Sequence, residues 1–574
     1  MDLATLTRSL PLPSHQLQMR SSLLVLAAAA VFTACSSKEN SPAGGSSGGT
    51  MIVDASNDAV DVFPPYVGDQ IGRMVQDLVF DRLAEIGPDL LTVGDKTFTP
   101  QLAKSWTWAP DSLSIAFSLD PRARWHDGRA VTANDVRYSF RTFVDPKVGS
   151  PVAPLLANVD SVSMRDSLTP VVWFKKHTPE QFYDVAYQLI IMPEHVYGAV
   201  PVEQLHTSPI TRNPVGSGRF RFVKWDAGSR IELVADTSNY RGRAKLDRLI
   251  VTPVSEPAAA STQVLSGQAD FIFAFPIDQV SKLDSSKVAR PVSLPQLAYA
   301  FMGMNQYDPK SKNNAHPIFS DVRVRRALSM AVDRVGMLRN VFGDKGRLAH
   351  GPFPMIVSFA DSTLRLPPYD TTAAKALLDS AGWMVGGDGY RSKRGRQLHF
   401  NLLVPTSSAP RMRYAVLLQE QFRKIGARVD LDQLDPNAMN ARQQAYDFDA
   451  IMAGFNTDPS PSGSKQNWST AGIGPTGQNM LRYSNRTVDA LLDSATSAFD
   501  PAQTKRHLTR AYQTLVDDVP AIWLYDYISI PAVNRRITTA PMRADEWWAN
   551  LADWYIPADK RIDRDRIGLT PSKP

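Results

Sequence analysis

One stretch narrows the possible folds more than any other. Leu398 to Val404 reads as a strand, and Arg411 to Ile425 as a helix. Gly426 ends that helix, and Val429 to Leu431 resumes an extended pattern, so the segment reads as a β-α-β unit. Elsewhere the same alternation recurs. Gly68 to Phe80 is helical by the spacing of Ile71, Val75, Leu78 and Val79, and Val264 to Phe275 is a helix end running into an apolar strand. Val324, Leu328, Ala331, Val335, Leu338 and Phe342 fall on one stripe, which predicts a single long helix capped by Asp321. Thr371 to Ala381 is a shorter helix, opened by Asp370 and closed by Gly382. Phe448 to Ala453 is a strand, and helices near Thr487 to Ala495 and Pro501 to Asp518 lead into the strand Ile522 to Ile530. Strands alternating with helices over such a length indicate α/β layers, with helices covering sheets.

A second informative stretch is Leu102 to Phe140. Leu113, Ile115, Phe117 and Leu119 alternate with Ser114, Ala116 and Ser118, the pattern of a half-buried strand. Ala109-Pro110-Asp111-Ser112 turns the chain before it and Asp127-Gly128 after it. Thr132 and Asp135 then have the spacing of a capping box that opens a helix. His126-Asp127, in that turn, has a structural setting rather than that of an acid-base pair.

These residues also carry a resemblance. LAKSW, SIAFSL and WHDGRAVTANDVRYSF resemble the signature of extracellular solute-binding family 5, the oligopeptide- and dipeptide-binding proteins of ABC importers. NPVGSGRFRF (213 to 222), DVRVRRALSMAVDR (321 to 334), AKALLDSAGW (374 to 383) and DVPAIWLYDY (518 to 527) follow in the family's order. The resemblance implies a class II periplasmic-binding-protein fold, α/β throughout, with two hinged lobes and an extra subdomain inserted in lobe I. Mapped onto this chain, lobe I is 50–80, 179–272 and 535–574, the inserted subdomain 81–178, and lobe II 273–534. The lobes are expected to swing about strands near Ala274 and Asn534.

Composition sets limits on this picture. At 574 residues and 43% hydrophobic content, the chain can bury a large core. Its formal charge is +6; two Arg and one Asp lie in residues 1–34, so the remainder is +5. No Lys/Arg block or arginine-aromatic stripe accompanies that small excess, and a nucleic-acid partner is not expected. The single cysteine, Cys35, excludes an intramolecular disulfide and a thiolate metal site. It follows Met19-Arg20 and an apolar run from Leu23 to Phe32, far short of the ~20 residues of a membrane helix but of signal-peptide length. Residues 1–34 therefore read as a signal peptide, with Met19 an alternative start. Phe32-Thr33-Ala34-Cys35 resembles a lipobox, which implies lipidation of Cys35; an ordinary secretory signal with an incidental cysteine is the other reading. Residues 35–50 then form the lipidated cysteine and a Gly/Ser tether.

Several enzyme motifs fail on context. Gly472-Ile473-Gly474-Pro475-Thr476-Gly477 is a literal GxGxxG, but it follows a polar loop, contains proline and opens no helix. Gly44-Gly45-Ser46-Ser47-Gly48 fits GxSxG only within the tether. The nine histidines show no HExxH spacing, and no metal or cofactor is expected.

The strongest functional stretch is Ala453 to Gly463, a loop leaving the end of a strand, where α/β folds place ligands. Gly454-Phe455-Asn456-Thr457-Asp458 resembles the family's G-W-x-x-D element, whose aspartate takes a peptide's α-ammonium. That resemblance implies ligand contacts from Asp458, Phe455, Asn456 and Thr457, and a carboxylate in a dry cleft suits a cation. Asp458 before Pro459 also suits a simple turn. Phe455 stands where the family has Trp, keeping an aromatic wall without the indole donor. Dipeptide binders resemble one another in an Arg soon after the strand matching Leu398 to Val404; here none occurs before Arg411. By the same resemblance Tyr66, Val67 and Asp69 meet a peptide backbone, while Trp468, Tyr525 and Tyr527 face the cleft or pack in the core. The expected partners are a peptide, an ABC permease in the cytoplasmic membrane, and the membrane itself through the anchor, for a monomeric, periplasmic or extracytoplasmic protein that is not an enzyme. Three rivals stay open: the same fold with a nickel chelate, haem, glutathione, opine or sugar; a secreted hydrolase; and a sensor that does not import.

Overall fold

Thr50–Ala55 pairs parallel with Arg248–Pro253 and with Phe271–Ile272, and this trio is the centre of a first, seven-stranded sheet. In the computed structural model, residues 48–474 and 477–566 are described. The signal segment, Met19, Cys35, most of the tether, and Pro475 and Thr476 of the GxGxxG run lie outside them. Antiparallel strands Arg230–Ala235 and Phe220–Asp226 extend the first sheet on one side, and Ala532–Asn534 and Ala289–Pro291 on the other. A second sheet has the order Arg347–Leu348, Ala521–Ser529, Leu294–Met304, Ala450–Asn456, His399–Pro405, Arg428–Leu434. His399–Pro405 and Arg428–Leu434, paired parallel with the helix Ala409–Lys424 between them, are the expected β-α-β unit, and Ala450–Asn456 pairs parallel with His399–Pro405 on its other side.

The second sheet explains why its strands read as continuous apolar runs. Ala300, Met302 and Met304 enter one core with Leu402, Val404 and Met452, while Tyr299 and Phe301 enter another with Leu403, Ile451 and Ala453. Alternate side chains on both faces are buried, so no polar face is needed.

Residues 81–178 contain a four-stranded antiparallel sheet, ordered Ala103–Trp108, Ser114–Leu119, Thr169–Phe174, Val159–Asp166. The helix Ala133–Val144 packs on it, opened by the Thr132/Asp135 capping box that the sequence predicts. Phe117, Val136 and Phe140 share one core with Met51 and Leu249 of the first sheet, so this unit is welded to that half.

Two expectations change. The stripe from Val324 to Phe342 forms two helices, Val322–Met330 and Arg334–Phe342, because Asp333 caps a new start by accepting from Gly336 N at 2.9 Å. Val335, placed on the apolar stripe, is 48% exposed as a result. The crossings between halves also move from Ala274 and Asn534. Ala289–Pro291 pairs with Ala532–Asn534 inside the first sheet, and Ile272, Phe275, Val280 and Leu283 share a small core with Ala532. The chain therefore changes sheets between Pro291 and Leu294, and again between Ser529 and Ala532.

Candidate functional site

The strand Ala450–Asn456 delivers Asn456, Thr457 and Asp458 to the edge of the second sheet, where Thr457 N donates to Leu297 O at 2.7 Å. Opposite stand residues of the first half: Val67 and Gly68 before the helix Gln70–Val79, Tyr183 and Tyr187, and Asp545 and Glu546. Between them is a cleft of about 520 Å³ lined from both halves. Its size is that of a small-ligand site.

Asp458 is the uncommitted carboxylate of this cleft. Among the described residues its carboxylate accepts only from Ser460 N, through Oδ1 at 2.8 Å, and burial pushes its carboxyl above the ordinary carboxylate value. Across the cleft Arg73 and Arg82 line the space, Arg73 near Glu546 but without an ion pair among the described residues. Arg82 is paired with Asp77 at 2.8 Å and Glu546 at 3.3 Å, and Arg543 with Glu546 at 3.1 Å and Asp545 at 2.6 Å. No His, Ser or Cys is among the described residues lining the cleft; its hydroxyls belong to Thr457, which donates to Leu297 O at 3.2 Å, and to Tyr183 and Tyr187.

A residue the sequence does not reveal joins the two walls. Glu180, from the first half, accepts from Ser460 Oγ at 2.8 Å and Ser462 Oγ at 3.1 Å, both in the loop after Asp458. Its other oxygen accepts from Thr92 at 2.6 Å. Burial raises the Glu180 carboxyl, and the nearby Asp458 charge raises it further. Asp184, one helical turn on, is pushed up to about 8 by burial and then by Glu180. Glu180 and Asp458 thus stand near one another from opposite halves, an arrangement that favours a cation between them. Ser460 and Ser462 lie within the stretch singled out from sequence, but Glu180 is 280 residues away and has no local signal.

The other predicted residues divide. Val67 lines the cleft with Asn456, Thr457 and Asp458. Asp69 does not; it caps the helix Gln70–Val79, accepting from Ile71 N and Gly72 N at 3.1 and 2.9 Å. Tyr66 packs edge-on against His206, with ring centroids 4.8 Å apart. Trp468 is 1% exposed and donates its indole N–H to Tyr299 Oη at 3.0 Å, so it belongs to the core. Phe455 stacks edge-on against it, centroids 5.7 Å apart, and turns an edge to a second cavity. Tyr525 is 2% exposed among Phe342 and Tyr414. Tyr527 is half-buried and takes a hydrogen bond from Arg411. Gly454 is required where it stands: a Cβ there would lie 2.7 Å from Tyr299 O and 3.0 Å from an Arg411 nitrogen. His126, set aside as a base, is held by backbone, with Nε2 2.9 Å from Gly218 O and Nδ1 accepting Gly216 N at 3.2 Å.

Comparison with known proteins bears on this cleft. The chain is 26% identical over 515 residues to the oligopeptide-binding protein AppA of Bacillus subtilis, covering 87% of this chain and 92% of that one. The structure of AppA from Bacillus subtilis in complex with a nonapeptide superposes with a TM-score of 0.69 at 24% identity, over 89% of this chain and 99% of the other. NikZ from Campylobacter jejuni, in complex with Ni(L-His), gives 0.70 at 23% identity, over 88% and 99%. The likeness carries the fold, the two-lobed class II arrangement with its inserted subdomain. The family model for bacterial extracellular solute-binding proteins, family 5 Middle, matches residues 97–475, more than half of the chain, and the protein belongs to that family of extracellular solute-binding proteins.

Proposed function

We propose that the protein captures peptides between its two halves and passes them to a permease of an ABC importer, making and breaking no covalent bond. Asp458 is the observation that carries this reading: a carboxylate with one backbone partner, in a cleft lined from both halves. Stripped of water, it is suited to a ligand's α-ammonium. Asn456, Thr457, Phe455 and Val67 surround the ligand, whose main chain supplies affinity with little sequence preference, and bridging waters fill unmatched side-chain space. Asp69, Tyr66, Trp468 and Tyr525 have structural partners and are not assigned a ligand. The halves close about the two crossings, 292–293 and 530–531. The name of the Bacillus subtilis relative agrees with a peptide. NikZ shares the fold with a nickel complex, so fold alone does not choose the ligand; the histidine-free lining, with Asp458, Asp545 and Glu546 beside Arg73 and Arg82, supports a peptide. Residues 1–34 direct export, Cys35 carries the lipid, and the monomer works outside the cytoplasm on its tether.

Mixed peptides with free amino ends are expected to raise the melting temperature and compact the protein in small-angle scattering, and N-acetylated pools to do neither. Absence of both responses to every pool would count against a peptide. Glu180 gives closure its dependence on a cation: a bound ammonium relieves the repulsion between Glu180 and Asp458 while Glu180 holds the loop carrying Ser460 and Ser462. Glu180→Ala is expected to weaken peptide binding by about 1.5–3 kcal/mol, the range for hydrogen bonds to charged groups, and to leave the liganded protein less compact. Unchanged affinity together with unchanged compaction would remove Glu180 from this role.

A further inference from the structure

The loop 87–98 belongs to the first half, yet it reaches into both cores. Leu90 is 1% exposed in the core of the first half. Val93, three residues on, is 4% exposed in the core of the second half, with Tyr299, Phe353 and Phe359. Ile356 and Val357 of the second half return the exchange, Ile356 packing against the first-half core and Val357 against both.

This loop is held so as to present Val93. Leu90 has φ 53°, a left-handed backbone that a leucine keeps only where its surroundings over-determine it. Leu90 N donates to Gly87 O and Gly94 N to Pro179 O, both at 3.0 Å. Asp95 accepts the indole N–H groups of Trp106 and Trp108, each at 2.9 Å. The strap is therefore fixed to the first half on either side of Val93, while Val93 and its neighbour Leu91 pack against the second.

A second apolar contact spans the halves beside it. Phe499, in the turn between the helices Arg486–Ser497 and Pro501–Asp518, meets the His177 ring with centroids 4.1 Å apart. Phe499 is 50% exposed and, with Gly94 and His177, borders a space of about 130 Å³, so this contact can part without breaking a packed core. Neither Val93, Phe499 nor His177 is among the described residues lining the cleft, so the attraction they supply does not depend on a guest. Glu180 and Asp458 act the other way, because their charges repel when the halves meet with nothing between them.

We infer that Val93 and Phe499 form an apolar latch that draws the halves together without a ligand. The latch offsets the repulsion between Glu180 and Asp458, so a bound cation only has to tip a nearly balanced equilibrium. The inference rests on the hinged closure proposed above and not on the ligand being a peptide.

Small-angle scattering of the unliganded full chain tests it with no guest present. Val93→Ser is expected to lower the ratio of closed to open molecules roughly tenfold to a hundredfold, as returning one buried valine to water provides. The unliganded variant then scatters as a more extended particle than wild type. Phe499→Ala is expected to act in the same direction, and because Phe499 is half-exposed its effect cannot come from a damaged core. Saturating amino-free peptides should close both variants again, with the apparent dissociation constant raised in proportion to the closed fraction lost. Unliganded variants no more extended than wild type overturn the latch and leave peptide capture standing. If no peptide compacts any form, the peptide reading falls, while the unliganded comparison still decides the latch.

Discussion

Replacing Asp458 with alanine is expected to raise the dissociation constant of an amino-free peptide by roughly thirtyfold to several thousandfold. That corresponds to the ~2–5 kcal/mol lost when one partner of a desolvated charge pair is removed. The unliganded protein should keep its stability or gain slightly, because the carboxylate makes one backbone hydrogen bond and sits near Glu180. N-acetylation of the peptide removes the other partner of the same contact. The double change should therefore cost little more than either single change, a coupling that distinguishes a direct contact from a distant disturbance. Acidity provides a further check. Asp458 must be ionised to hold an ammonium, and burial raises its carboxyl, so affinity should fade on acidification at a pH above the ordinary carboxylate range. Glu180 and Asp184 titrate nearby, with Asp184 at about 8, so the informative quantity is the difference between wild type and Asp458→Asn. A variant that binds amino-free peptides as tightly as wild type would refute the amino-end assignment.

How much of this could be read from residues alone follows the range of the interactions. Capping is local, and Thr132/Asp135, Asp321 and Asp370 all act as their spacing indicates. The β-α-β unit is equally local in pattern, although its strands run one to three residues past the predicted ends. The long stripe through Val335 misleads because its period survives a break: Asp333 opens a second helix without disturbing the spacing of apolar residues. The crossings depend on which strand the short run Ala289–Pro291 chooses, and its partner lies more than 240 residues on. The cleft shows the same division. The loop from Asn456 to Ser462 is legible because it leaves a strand end, whereas Glu180 gains meaning only through a contact across the fold. Arg411 lies past the end of its strand, at the start of a helix. Yet the helix that carries it turns the guanidinium back over Gly454, which also explains that glycine in the Gly454-Phe455 pair. Trp468 takes the core setting, one of the two the sequence leaves open, since its indole N–H finds a buried partner and packing alone accounts for it.

Arg536→Ala is expected to destabilise the first half by about 3–5 kcal/mol, the usual cost of leaving a buried carboxylate without its cation. Arg536 contacts Asp270 through Nε at 2.8 Å and Nη2 at 2.9 Å, Asp565 through Nη1 at 2.6 Å, and Thr50 O at 2.6 Å. Both aspartate side chains are fully buried. Each also holds the first strand, Asp565 accepting from Thr50 N at 2.8 Å and Asp270 from Ile52 N at 2.9 Å. One guanidinium therefore clasps the first strand of the sheet to a segment near the other end of the chain. On the proposed anchoring, this clasp is the first rigid point beyond the tether. Arg564 also reaches Asp270, at 2.6 Å, but it leaves Asp565 uncompensated, so it cannot replace Arg536. Urea unfolding followed by tryptophan fluorescence reports this region, because Trp547, Trp548 and Trp554 belong to the same core as Met51 and Val53. Adding Asp565→Asn and Asp270→Asn to Arg536→Ala should recover part of the loss, since the unpaired charges are then gone. If the triple variant is no more stable than the single one, the cost comes from lost packing and hydrogen bonds rather than from stranded charge. A single variant within about 0.5 kcal/mol of wild type, the scatter of ordinary surface changes, would mean that the clasp adds nothing to stability.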